Sequence, residues 1–272
     1  MKSNRIERPR APRALLVTLA LISASALIIA LLVGYGRLKA VYLEQCVIHD
    51  LAAQVSITAG KMVKEDVIAE CFGLHVGANL AEIDFTEKRA EVLDRIHTLR
   101  DISITRHLPD RVTIVAEERT PVAKLGIRGL RNSTGKVVDT DGMVFVCRRG
   151  TQLLPTIYEP TSPGTTSGHK VKERAFAALK LIETCREPKF AELGVQDVDT
   201  SKPDYLVATL GNYSKAKIAW DQMDDWSVKS QADLESQLSN LIMVIRSQTA
   251  PGTRTWNATI HNRIFADTQE NR

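Results

Sequence analysis

Apolar and polar positions alternate from residue 102 onward, with Ile102 and Ile104 on one face and Ser103 and Thr105 on the other. The pattern breaks at Leu108-Pro109-Asp110 and resumes through Val112, Ile114 and Ala116. Period-2 patterning on both sides of a Pro-Asp corner predicts an antiparallel hairpin. The fixed φ of proline suits such a corner, and its missing N–H is not needed in a ladder. Upstream, Val55 and Ile57 alternate as a short strand. A helical period follows over 64–72, with Val67, Ile68 and Cys71 on one face and Gly73 just past its end. Asp84-Phe85-Thr86-Glu87 sets a capping aspartate three places before a glutamate. The helix it opens is expected to bury Ala90, Leu93 and Ile96. The predicted order is strand, helix, helix, strand, strand, with two helices against a three-stranded sheet.

Beyond Pro121 the pattern is less regular. Val137-Val138-Asp139 and Met143-Val144-Phe145 flank Asp141-Gly142, a dipeptide suited to a tight hairpin turn. Residues 159–168 are rich in Pro, Thr, Ser and Gly and predict a loop. A helix is expected over 170–186, its inner stripe being Val171, Ala175, Ala178, Ile182 and Cys185. Strands are expected at 196–198, 205–210 and 216–220. A second helix over 232–247 would bury Leu234, Leu238, Leu241 and Val244 or Ile245, and a last strand would run over 256–265. The fold class is therefore α+β, ending in a mixed α/β domain whose sheet is expected to be antiparallel.

Residues 14–36 contain no charged side chain. At about 1.5 Å per residue such a helix spans about 35 Å, enough for a bilayer core of about 30 Å. Ala24-Ser25-Ala26 resembles a cleavage site, but the apolar run continues beyond it to Val33, so an uncleaved anchor is the better reading. Residues 1–13 carry all of the net charge of +4, leaving the rest formally neutral. That asymmetry keeps the N-terminus in the cytoplasm and sends the body to the far side. A basic tail on a neutral body also argues against nucleic acid as a partner.

Candidate chemistry is sparse. Cys46, Cys71, Cys147 and Cys185 match no zinc or C-x-x-C spacing, and the expectation is buried free thiols, although an oxidising compartment would allow three pairings. His49, His75, His97, His107, His169 and His261 are scattered. Ser167-Gly168-His169-Lys170 lacks a nucleophile elbow. Asp224 and Asp225 are adjacent, so their side chains diverge. Asp139 and Asp141 have the spacing of a calcium loop without its further acidic ligands. Asn132, Asn212 and Asn257 begin N-x-S/T triplets, which matter only in a eukaryotic secretory protein. No metal, cofactor, small-molecule substrate or catalytic residue is expected.

A family resemblance rests on Ile104, Arg106, Pro109, Val112, Ile114, Ala116, Glu118, Arg119, Pro121 and Ala123. Their spacing resembles the exit hairpin of the POTRA domain in FtsQ/DivIB, the single-pass bacterial division proteins. Gly60, Gly73-Leu74, Gly77 and Asn79-Leu80 resemble the same domain's turn glycine and G-L-x-x-G-x-N-L segment. Asp139 and Gly142 resemble the v-D-x-x-G-x-v-F element that follows it, and Leu154-Pro155 its L-P step. Departures occur at Lys64, where a Ser or Thr cap is usual, at residues 218–221, and at Ala258-Thr259-Ile260, which replace an acidic core.

The resemblance implies a cytoplasmic tail (1–13), a membrane helix (14–36), a stalk (37–54), a POTRA domain (55–123), a C-terminal β domain (124–265) and a polar tail (266–272). It implies a non-enzymatic inner-membrane scaffold at the division septum that binds FtsB- and FtsL-like proteins. The docking edge would be the last strand: Trp256, Asn257, Ala258, Thr259, Ile260, His261, Asn262, Arg263, Ile264 and Phe265. A strand edge offers unpaired N–H and C=O groups to another chain. Trp256 is either an anchor for that partner or a core residue. The alternatives are a POTRA-bearing component of a secretion or outer-membrane assembly system, and a membrane-anchored periplasmic enzyme.

Overall fold

A computed structural model describes residues 13–129, 135–160, 164–247, 253–260 and 263–267. The chain opens with helix α1 (Arg13–Gln45), which contains a stretch, Leu21–Gln45, long and apolar enough to cross a membrane. The segment expected as a stalk continues this helix to Gln45 and is then tied down. A short helix, α2 (Leu51–Gln54), begins at Asp50, whose carboxylate accepts the N–H groups of Ala52 and Ala53.

Next come β1 (Val55–Thr58), α3 (Glu65–Phe72), α4 (Phe85–Arg95), β2 (Leu99–His107) and β3 (Arg111–Glu118), with a three-stranded sheet in the order β1-β3-β2. Two helix faces differ from expectation. On α3 the buried residues are Ile68 and Phe72, while Val67 is exposed. On α4, Phe85 and Val92 are buried and Ala90 is exposed. On α3 the i, i+4 pair with the larger side chains takes the buried stripe, since a Phe withdraws more apolar area than a Val, and on α4 Phe85 and Val92 lie seven apart, two turns along one face.

Contacts divide the chain into two compact units. The first comprises 1–57, 66–86 and 104–114, and the second 58–65, 87–103 and 115–272. In the first, Cys46, Ile48, Ile68, Phe72, Leu74, Leu80, Phe85, Val112 and Ile114 are buried. The end of α1 is fastened to the 77–80 loop. Leu80 donates its N–H to Cys46 O, Ile48 donates to Ala78 O, and Asn79 Nδ2 donates to Leu43 O. The last bond satisfies one of the carbonyls that a helix end leaves open.

The second unit contains a nine-stranded sheet. Its strands are β4 (Ala123–Ile127), β5 (Lys136–Val138), β6 (Val144–Val146), β7 (Thr156–Glu159), β8 (Asp197–Asp199), β9 (Leu206–Thr209), β10 (Lys215–Ile218), β11 (Thr255–Ile260) and β12 (Arg263–Ala266). Their spatial order is β12-β11-β10-β9-β8-β7-β4-β5-β6. The sheet is mixed, which corrects the antiparallel expectation: β4 with β7, β7 with β8, and β10 with β11 run parallel. Parallel neighbours need a long crossover, and the chain supplies three. The β5–β6 hairpin lies between β4 and β7. Helix α5 (Glu173–Cys185) and a 3-10 turn at Ala191–Leu193 lie between β7 and β8. Helix α6 (Val228–Ser247) lies between β10 and β11.

Both helices pack on one face of this sheet. Leu125, Ile157, Val198, Leu206, Ala208, Ala216, Ile218 and Trp256 share that face by register and form one cluster with Leu179, Leu181, Ile182, Leu234, Leu238 and Leu241. The expected stripe of α5 is buried throughout. Full burial of each large aliphatic side chain contributes about 1.5–3 kcal/mol. At the start of α6 the Ser227 hydroxyl accepts the Ser230 N–H, and Ser230 Oγ in turn accepts Trp220 Nε1–H. The opposite face alternates to half-buried Lys124, Tyr158, Asp197, Thr209, Lys217 and Asn257. Near β5 and β6 that face carries Val137, Phe145 and Cys147, against which Met62 packs.

Candidate partner-binding edge

The residues expected as one last strand fold as two. β11 pairs with β10 on one side and with β12 on the other, through Trp256↔Ala266, Asn257↔Phe265 and Ile260↔Arg263. The register slips by one between Asn257 and Ile260, as in a β-bulge. The edge therefore belongs to Arg263, Ile264, Phe265 and Ala266, while Trp256, Asn257, Ala258, Thr259 and Ile260 lie one strand inward. His261 and Asn262 fall outside the described residues.

The side chains divide accordingly. Trp256 and Ala258 are buried, at 6% and 2% exposure, so Trp256 is a core residue. Asn257 Oδ1 accepts both the N–H and the hydroxyl of Thr259. Ile264 and Ala266 pack against the main cluster, whereas Ile260 and Phe265 are exposed at 52% and 47%. Asp267 donates its N–H to Thr255 O. Because bonded and non-bonded positions alternate along an antiparallel pair, the N–H and C=O of Ile264 and Ala266 point away from β11. Ala266 and Asp267 fall in the expected polar tail, yet Ala266 extends the strand and Asp267 pairs with Lys217 at 2.5 Å. The alternation Ile264, Phe265, Ala266 was the available signal.

At the other end of the sheet the start of β6 is covered. Val144 on β6 donates its N–H to His169 O and accepts from Gly168, and Val171 donates to Gly142 O. Residues 168–171 thus occupy the outer side of β6. Gly142 has φ +77°, and a Cβ there would meet Phe176 and Val171, so both conformation and space call for glycine.

The residues that carry the family resemblance have structural work. Glu118 accepts the N–H groups of Lys61, Met62 and Val63 at 2.8, 2.7 and 2.7 Å. A Cβ on Gly60 would overlap that carboxylate. Arg119 donates its N–H to Thr98 O, and its guanidinium pairs with Asp139 at 2.5 Å, with only 13% and 4% of the two side chains exposed. Asp139 also accepts the N–H groups of Asp141 and Met143, so its two oxygens serve the turn and the Arg119 pair. Arg106 donates to Ile83 O and lies 4.3 Å from the Phe85 ring centre. Gly77 takes φ +92°, the Leu108–Pro109 peptide is cis, Pro121 is half-buried and Ala123 fully buried. Gly60→Ala is expected to cost about 2–3 kcal/mol by displacing a charged acceptor from three backbone donors. Chemical denaturation of the full chain measures this, and Glu118→Gln, which keeps an acceptor, should cost less.

Among the described residues no group of three His, Cys, Asp or Glu side chains could hold a metal ion. All four cysteines are free, and burial pushes the Cys185 thiol up to about 12, which keeps it protonated and unreactive. His169 Nδ1 lies 3.1 Å from Thr166 Oγ1, and Asp224 and Asp225 are exposed. A cavity of about 660 Å³ beside the start of α5 is lined in part by Glu159, Lys172 and Arg174. There the Glu159 carboxylate is engaged by the Thr165 N–H and hydroxyl, and Arg174 donates to Lys202 O. No family model and no curated protein matches the chain.

Proposed function

We propose that the protein is a non-enzymatic scaffold of the bacterial inner membrane, of the FtsQ/DivIB kind. Its N-terminus is cytoplasmic and its body periplasmic. It holds FtsB- and FtsL-like partners at the septum so that cell-wall synthesis begins there. The observation that carries this reading is the asymmetry of the nine-stranded sheet: the start of β6 is covered by 168–171 at Val144, while β12 presents outward backbone groups beside exposed Phe265. A protein that recruits others by strand addition needs such an edge. The helix order of residues 55–118 and the β1-β3-β2 sheet support the POTRA assignment.

The test combines depletion with capture. Depleted cells are expected to grow as filaments without septa, and the full-length protein in detergent should co-purify small coiled-coil membrane proteins. Ala266→Pro removes an outward N–H at a position where an edge strand tolerates proline. It should abolish capture with an unchanged melting temperature. Normal septa after depletion, or undiminished capture by Ala266→Pro, would overturn the proposal.

A further inference from the structure

The three-stranded sheet ends at β2, and one residue on that edge is closed in a specific way. Ile102 turns both of its backbone groups away from β3. Its N–H donates to Asp101 Oδ1 at 2.7 Å, and its C=O accepts Arg89 Nε at 2.7 Å. Arg89 and Asp101 also pair with each other. One closing group thus comes from the strand itself and the other from α4. The Ile102 N–H, and next Arg89, hold the Asp101 carboxyl below the ordinary aspartate range, so the arrangement stays charged at neutral pH.

We propose that Arg89 and Asp101 guard the β2 edge against strand addition by a second copy of this chain. An unpaired nine-residue edge strand is a ready template for another strand. The sequence would allow self-pairing. A two-fold axis at Ile102 sets Arg100 opposite Ile104 and Asp101 opposite Ser103, so no like charges face one another. Where Val144 on β6 is closed by neighbouring backbone, Ile102 on β2 is closed by two side chains, which substitution can remove without disturbing the ladder. This inference does not rest on the reading of β12, because it concerns a different sheet and a different occupant.

The test uses the full chain in detergent micelles, with self-association followed by sedimentation over a concentration series. Arg89→Ala/Asp101→Ala is expected to lower the monomer–dimer dissociation constant at least tenfold, and adding Ile104→Pro should restore the wild-type value. Ile104 follows Ile102 by two and also points its N–H outward, so proline there blocks an incoming strand while leaving the ladder to β3. Hydrogen exchange gives a second reading that needs no association. The Ile102 amide should exchange at least tenfold faster in monomeric Asp101→Ala, with the Leu99 and Ser103 amides unchanged. Association equal to wild type in the double variant, association that Ile104→Pro fails to reverse, or an unguarded exchange rate at Ile102 in the wild type would each overturn the proposal.

Discussion

Arg119→Ala should destabilise the second compact unit by about 3–5 kcal/mol, the usual cost of leaving one member of a buried ion pair without its partner. Asp139 is 4% exposed and cannot recover its solvation by turning toward water. It keeps the N–H groups of Asp141 and Met143, which hold the turn but do not neutralise the charge. Asp139→Ala should cost a similar amount, because it strands the guanidinium and frees both turn amides together. The double variant Arg119→Ala/Asp139→Ala should fall well short of the sum, since neither charge then remains buried alone. Trp220, Trp226 and Trp256 all lie in this unit and report its unfolding by fluorescence in denaturant. Additive losses would mean that the pair does not act as a unit.

The same pair shows what the sequence could and could not say. Glu118, Arg119, Asp139 and Gly60 were legible as positions because their spacing resembles a family's. Nothing in the spacing revealed that Gly60 makes room for the Glu118 carboxylate, or that Arg119 reaches Asp139. Those contacts join residues 58 and 20 positions apart, and local periodicity carries no information about them. Strand existence was readable from alternation, as at Ile102, Ile104, Val112 and Ile114. Strand partners were not, and the sheet became mixed where helices of 13 and 20 residues return the chain to a parallel neighbour. Both helices are legible in the sequence as elements. Their consequence for direction follows from the length of chain a parallel connection requires.

The last strand is where position and role separate most clearly. The sequence leaves Trp256 as either an aromatic anchor at an edge or a core residue; its ring is buried in the core, and β12 stands between it and the open side. Trp256→Ala should therefore cost about 3–5 kcal/mol, as for other buried aromatic residues cut to alanine. Any loss of partner capture would then follow from unfolding. Phe265→Asp tests the surface instead: the side chain is half-exposed beside Asn257, and substitution there should change stability by no more than about 0.5–1 kcal/mol. It should nonetheless remove most partner capture, because a charge replaces the apolar group that an added strand would cover. Denaturation midpoints and co-purified partner, measured on the same two full-length variants, separate the effects. Phe265→Asp with normal capture would remove β12 as the docking edge, whereas Trp256→Ala with a wild-type midpoint would mean that its ring is not part of the core.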